Sequence, residues 1–274
     1  MALHHTRSLS FPSKTHPIVE QFDEQLSRLR SSQATSTSSS SSSLNETLAN
    51  LKDLYCSIDE LLQLPLNQQT VSQNVHSKWT EEVLDGSLRL LDICSTSRDV
   101  LVQSKEGLQN IQSVLRRRCS GELNILREIV QYLNTRKSSK KMIKKSLKSI
   151  KESEQTTNDN GIESMLKDVE AITIDILKSV LSYISGSRKS RWSFVNKLMQ
   201  QGGDKESMTA NSEFDDVDAT FESIIRQKNK NGVEIMRSQM IRLEAEIQVL
   251  NETLDSLFRH LVKTRATLLN ILSN

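Results

Sequence analysis

The sequence predicts an all-α protein, an elongated bundle of long antiparallel helices with a coiled-coil-like C-terminal helix and a disordered N-terminal tail. First, apolar residues recur at alternating spacings of three and four over residues 233–271, which is the seam of a helix that faces other helices. Second, similar spacings run through most of the chain upstream. Third, the last of only three prolines is Pro65, and a β protein needs more turn-forming residues than this.

The first 43 residues divide into three segments. Residues 1–15 show no periodicity and predict a disordered tail. Residues 16–31 predict a short helix, with Pro17 in the first turn, where proline is tolerated. Residues 32–43 include nine consecutive hydroxyl residues, a composition typical of a flexible linker.

The rest of the chain predicts two helical parts. The N-terminal part spans residues 44–154, in which Pro65 ends one helix and a long helix runs from about residue 70 to 118. Gly86 and Gly107 lie inside that long helix, and either could mark a close crossing with another helix. A polar loop at 155–161 separates this part from the C-terminal part at 162–274.

The C-terminal seam defines the last helix. A break in register at residues 231–232 predicts that this helix is separate from the one before it. Thr264 interrupts the apolar row once, and the flanking positions offer no opposite-charge pairs to a parallel partner, so we expect the helix to dock on its own chain. The seam consists of Val233, Met236, Met240, Leu243, Ile247, Leu250, Leu254, Leu257, Leu261, Leu268 and Ile271.

Composition restricts the cellular setting. The formal net charge is only +2, and the three cysteines have neither disulfide nor zinc spacing, which favours reduced packing residues. The N-terminus lacks the apolar core of a secretory signal, and no run of about 18 apolar residues predicts a membrane span. We therefore expect an intracellular, cytoplasmic protein, with a peripheral membrane or nuclear location as alternatives.

No arrangement of residues predicts catalysis. The sequence has no glycine-rich phosphate loop, no histidine pair at metal spacing and no strand-turn-helix setting for a nucleophile. We expect no enzymatic activity, no cofactor, no metal site and no small-molecule substrate.

A basic stretch near the middle of the chain is the main candidate site. One interpretation is a solvated helix face above inward-packed Met142, Ile143, Leu147 and Ile150. The alternatives are an anionic membrane surface, nuclear import, or phosphate contacts on nucleic acid. Nucleic acid is disfavoured because no aromatic residue interleaves the cations. The candidate contacts are Arg136, Lys137, Lys140, Lys141, Lys144, Lys145, Lys148 and Lys151.

Several stretches of the chain form a recognisable set. They are His5-Thr-Arg-Ser-Leu-Ser-Phe-Pro-Ser, Leu62-Gln-Leu-Pro-Leu-Asn-Gln-Gln, Leu84-Asp-Gly-Ser-Leu-Arg-Leu-Leu-Asp, Leu115-Arg-Arg-Arg, the basic stretch, and Phe258-Arg-His-Leu-Val-Lys-Thr-Arg. Together they resemble a plant-specific family of unknown biochemical function related to the BYPASS proteins. The resemblance implies a plant source, a helical protein and a role in root and shoot development, but no family site residues to transfer.

The resulting hypothesis is a non-catalytic helical interaction or scaffold protein with an unknown protein partner. One alternative is a peripheral membrane adaptor that binds anionic lipid through helix 136–151. The other is a nuclear, nucleic-acid-associated protein.

Overall fold

The computed structural model describes residues 16–35, 40–117, 122–150, 161–186, 212–227 and 232–273, and every regular element in these ranges is an α-helix. The predicted all-α class is therefore confirmed. The eight helices are α1 (Pro17–Thr35), α2 (Ser41–Gln63), α3 (Pro65–Gln73), α4 (Lys78–Arg116), α5 (Glu122–Ser149), α6 (Ile162–Ser185), α7 (Glu213–Gln227) and α8 (Gly232–Ser273).

Helix α8 forms the centre of the bundle. Its 42 residues extend about 63 Å at about 1.5 Å per residue. It packs against α2, α3, α4 and α7 of its own chain. Every predicted seam residue from Met236 to Ile271 is buried, while the side chain of Val233 lies outside the described residues. Residues from four helices of the same chain thus enclose the seam.

Helix directions follow from the contacts along α8. The thiol of Cys94 faces the carbonyl of Leu254, and Gln109, later in α4, donates to Glu244, earlier in α8. Helices α4 and α8 are therefore antiparallel, as the sequence predicts. Helix α2 instead runs parallel to α8, because Ser41 bonds to Glu246 and Asp59 to Thr264. No tight hairpin joins α2 to α8, so nothing forces an antiparallel pair. Helices α4 and α6 are also parallel, because Glu82 pairs with Lys167 and Arg89 with Glu170.

The predicted linker at 32–43 is helical at both of its ends in the structure. Helix α1 extends to Thr35, and α2 already begins at Ser41. The Ser40 side chain accepts a hydrogen bond from the Ser43 amide at 3.3 Å, which caps the new helix. Ser41 is buried and donates to Glu246. Hydroxyl-rich composition predicts flexibility, but serine is also a favoured helix cap, and here that preference dominates. Residues 36–39 lie outside the described part.

The predicted long helix from residue 70 to 118 is in fact two helices. Helix α3 ends at Gln73, and α4 begins at Lys78. The carbonyl of Asn74 accepts hydrogen bonds from the hydroxyls of Ser77 and Thr80, each at 2.7 Å. Such side-chain bonds offer the backbone an alternative to continuing the helix. The predicted tail at 1–15 and loop residues 155–160 lie outside the described residues.

Both glycines within α4 mark close crossings. A Cβ atom at Gly107 would lie 2.8 Å from Cδ2 of Tyr132 in α5, which is too close for an ordinary contact. A Cβ atom at Gly86 would collide with the carboxylate of Glu170 in α6. The sequence prediction that either glycine marks a crossing holds for both.

Two of the cysteines are described and both are free. Cys94 is buried, which raises the pKa of its thiol to about 12, and Cys56 is half-buried. Both serve as packing residues, while Cys119 lies outside the described part. None of the described helices has a stretch long and apolar enough to cross a bilayer.

Candidate functional site: the basic face of α5

The basic stretch lies in the second half of α5, which is anchored by one buried stripe. Ile129, Tyr132 and Ile143 are buried, and the ring of Tyr132 meets the ring of Phe221 edge-on at 5.1 Å. Met142 was expected to pack inward, but its side chain is 41% exposed, because it lies one residue off the stripe that Ile143 occupies.

Arg136 is not on the surface, so its predicted role as an anionic-surface contact is wrong. Its exposed fraction is 1%. Its Nη2 donates to the carbonyl of Ile184 at 2.8 Å, and its Nε lies 3.3 Å from Oδ1 of Asp218. Its guanidinium carbon lies 4.5 Å from the centroid of the Phe214 ring, a cation–π contact. A buried arginine needs such partners, and here α6 and α7 supply them.

Lys140 shares the carboxylate of Asp218. Its Nζ lies 2.9 Å from Oδ2, and its side chain is 31% exposed. Burial raises the pKa of the neighbouring Asp215, Lys140 opposes that effect, and Asp218 adds to it. Lys140 is therefore an internal ion-pair partner, contrary to the prediction of a free surface contact.

Five of the eight predicted cations do form one exposed surface. At about 100° per residue, they lie within a sector of about 100° around the helix. None of the five forms an ion pair with any residue in the described ranges, while Lys151 lies outside those ranges. We call this surface the basic face, and it consists of Lys137, Lys141, Lys144, Lys145 and Lys148.

Exposed apolar side chains border the basic face. Leu123 is 82% exposed and Val130 is 43% exposed, and they precede Lys137 by two and one heptads on the same side of α5. Met142 lies to one side of the lysines around the helix. An amphipathic surface of this kind can contact both the charged and the apolar parts of a partner.

The interior of the bundle holds a buried hydroxyl pair and one small cavity. The hydroxyls of Tyr55 and Thr173 lie 3.0 Å apart, and burial raises the pKa of Tyr55 above its ordinary value. A cavity of about 40 Å³ between α2, α4, α6 and α8 has room for roughly one water. Within the described ranges, no three histidine, cysteine or acidic side chains gather as a metal site.

Comparison with known proteins identifies the family. Neither the curated proteins nor the solved structures gave a match. A family model described as Protein BPS1 matches residues 47–271, which span most of α2 and all but the end of α8. The resemblance to a plant family related to the BYPASS proteins is thereby confirmed. The chain belongs to the Protein BPS1 family.

Proposed function

We propose that this protein is a non-catalytic helical scaffold in plant root and shoot development, and that its basic face binds an acidic surface of a partner protein. The family membership supports the plant developmental setting. The observation that carries the proposal is the basic face itself, five exposed lysines without an ion-pair partner among the described residues.

The electrostatic argument rests on the contrast within α5. Arg136 and Lys140 both pair with Asp218, whereas the five lysines of the basic face repel one another and have no ion-pair partner among the described residues. An acidic partner would relieve this repulsion, and a positive surface speeds the approach of a negative one.

Rigidity adds to the argument. The buried Arg136 and Tyr132 fix α5 against α4, α6 and α7, so the basic face is already ordered before a partner arrives. Binding then costs less conformational entropy than it would for a free peptide.

Affinity purification from growing root tissue tests the proposal. The bait carries Lys137→Glu, Lys141→Glu, Lys144→Glu and Lys148→Glu, which avoids Lys140 and so preserves the Asp218 pair. The matched control carries the same charge change elsewhere on the surface, through Arg28→Glu, Lys78→Glu, Arg116→Glu and Arg226→Glu, all at exposed positions.

We expect specific partners to be recovered with the wild-type protein and with the control, and lost with the basic-face variant. Recovery of no specific partner, or equal recovery by both variants, contradicts the proposal. Imaging the same tagged proteins in root cells shows whether the basic face also determines their compartment.

A second candidate is peripheral attachment to an anionic membrane through the same surface. The exposed side chains of Leu123, Val130 and Met142 favour it, because they could enter the headgroup region beside the lysines. Each lysine near such a surface contributes about 1 kcal/mol.

Sedimentation with vesicles separates the two candidates. The membrane candidate predicts binding to phosphatidylcholine vesicles that contain phosphatidylserine or phosphoinositide, loss of binding in the basic-face variant, and retention in the control. Equal sedimentation of all three proteins excludes it. A salt-dependent mobility shift on DNA or RNA that requires the basic face would instead support the nucleic-acid alternative.

A further inference from the structure

Helix α8 carries a second, outward ridge opposite its buried seam. Four apolar side chains on this ridge are unusually exposed, with fractions of 57% for Ile241, 49% for Val249, 44% for Val262 and 40% for Leu269. They lie on the side of α8 that points away from α2 and α4. Apolar exposure repeated along one helix face marks an interaction surface more often than isolated exposure does.

The middle line of the ridge repeats every seven residues. Ala245, Glu252, Arg259 and Ala266 follow one another at this interval, and all four are exposed. The two small residues lie at the outside and the two opposite charges lie at the centre. Consider a second, antiparallel copy of α8 that is related to the first by a two-fold axis level with the midpoint of residues 255 and 256. In this arrangement Ala245 of one copy faces Ala266 of the other, and Glu252 faces Arg259.

The flanking positions obey the same symmetry. The rotation brings Val249 to the level of Val262 on the other side of the middle line, and it brings Ile241 close to the level of Leu269. Small residues allow two helices to approach closely, and the apolar residues on either side then cover each other. The ridge is thus complementary to an antiparallel copy of itself.

We infer that the outward ridge of α8 binds a second copy of this chain in an antiparallel, two-fold arrangement. Such an interface is isologous, so the Glu252–Arg259 pair forms twice. Charge selects the direction, because a parallel pair in register would place Glu252 on Glu252 and Arg259 on Arg259.

The neighbouring charges on α8 have other partners within the chain. Arg242 pairs with Glu213 at 2.8 Å, Asp255 pairs with Arg98, and Lys263 pairs with Asp59 at 3.0 Å. Glu252 accepts a hydrogen bond from Gln248 of its own helix, and neither Glu252 nor Arg259 forms an ion pair within the described residues. These two charges are therefore free for a partner. The interface does not involve α5, so its failure would leave the proposed function untouched.

Charge reversal tests the inference on the full chain. Light scattering over a concentration series should show the wild-type mass rising from 31.1 kDa towards twice that value. Glu252→Arg and Arg259→Glu should each weaken association on the order of tenfold, because each converts two attractive pairs into two repulsive ones. The double variant, Glu252→Arg with Arg259→Glu, should restore it. Glu106→Arg, an exposed reversal on α4, serves as the control, and circular dichroism checks that every variant is folded.

A cysteine pair tests the geometry. Ser256 lies beside the symmetry axis, so Ser256→Cys should form a disulfide between copies on mild oxidation, above the level of the unsubstituted protein. Ser238 lies far from the axis, so Ser238→Cys should not. A wild-type protein that stays monomeric at every concentration overturns the inference. A double reversal that fails to restore association, or equal cross-linking at both cysteines, also overturns it.

Discussion

The hydroxyl of Thr264 donates a hydrogen bond of 2.6 Å to Oδ1 of Asp59, and both side chains are buried where α8 meets α2. This bond explains why one polar residue interrupts the apolar seam of α8. The ammonium of Lys263, whose side chain is mostly exposed, lies 3.0 Å from the other oxygen of Asp59. Each oxygen of the Asp59 carboxylate therefore has a partner on α8. A shift of α2 along α8 would leave a buried carboxylate against apolar side chains, and the pair therefore fixes the register of the two helices.

Removal of the Thr264 hydroxyl should destabilise the fold although the shape of the side chain is kept. Thr264→Val leaves a buried carboxylate oxygen of Asp59 without its donor, which costs about 1–3 kcal/mol. Urea unfolding followed by circular dichroism measures the loss. Thr264→Ser retains the donor and should recover much of the stability. If valine and serine have equal effects, the hydrogen bond contributes nothing and only packing matters at this position.

Arg136 should be among the residues on which the fold depends most, although it lies in the basic stretch. Arg136→Met removes one partner of a buried ion pair and leaves Asp218 with only Lys140, so we expect a loss of about 3–5 kcal/mol. The adjacent Lys137→Met changes an exposed side chain and should alter stability by about 0.5 kcal/mol or less. The same unfolding measurement compares the two, and similar values would mean that Arg136 is solvated.

The two glycines of α4 should respond in opposite ways to alanine. Gly107→Ala places a Cβ atom against the ring of Tyr132, which Phe221 confines, and such overpacking costs about 1–3 kcal/mol. Gly86→Ala meets only the movable end of the Glu170 side chain, and alanine gains about 1 kcal/mol of helix propensity. Thermal unfolding should therefore show a lower midpoint for Gly107→Ala and an equal or higher midpoint for Gly86→Ala. A lower midpoint for Gly86→Ala alone would contradict this order.

The sequence predicts the helices and the seam of α8 well, because both depend on local periodicity. It also identifies Thr264 as an anomaly and Gly86 and Gly107 as crossing points. It cannot identify their partners, since Asp59 lies 205 residues before Thr264. The break between α3 and α4 was missed because Asn74 forms its turn through side-chain hydrogen bonds, which leave no trace in an apolar pattern.

At the candidate site, too, the sequence could not identify partners that are distant in the chain. Helical periodicity correctly placed the basic stretch on one helix, but charge type alone could not separate surface cations from buried ones. Arg136 lies on the apolar stripe itself, one heptad after Ile129 and one heptad before Ile143. Lys140 falls at the edge of the stripe, and for both cations a carboxylate from another helix decides the outcome. That carboxylate belongs to Asp218, 82 residues after Arg136. Only Lys137, Lys141, Lys144, Lys145 and Lys148 are exposed among the predicted contacts that the structure describes.

The acid stability of the fold should depend on Glu213. Its carboxylate accepts hydrogen bonds from the Tyr183 hydroxyl at 2.6 Å and from Arg242 at 2.8 Å. Burial, the largest single influence, acts to raise the pKa of Glu213, but these bonds and the Arg242 charge together lower it below its ordinary value of 4.5. An acid whose pKa falls on folding stabilises the fold when ionised, and this contribution is lost as the pH falls through the lowered pKa.

Glu213→Gln should therefore unfold at a lower urea concentration than the wild type at pH 7. The gap, meaning the difference between the two urea midpoints, should stay constant down to about pH 5. Below the ordinary pKa of 4.5, the gap should narrow, because the wild-type carboxylate becomes protonated and loses its advantage over the amide. Urea unfolding at a series of pH values from 7 to 3 measures the gap directly. Glu234→Gln, at an exposed position in the first turn of α8, controls for the change in net charge. A gap that stays the same at every pH would show that the Tyr183 and Arg242 bonds do not favour the ionised form.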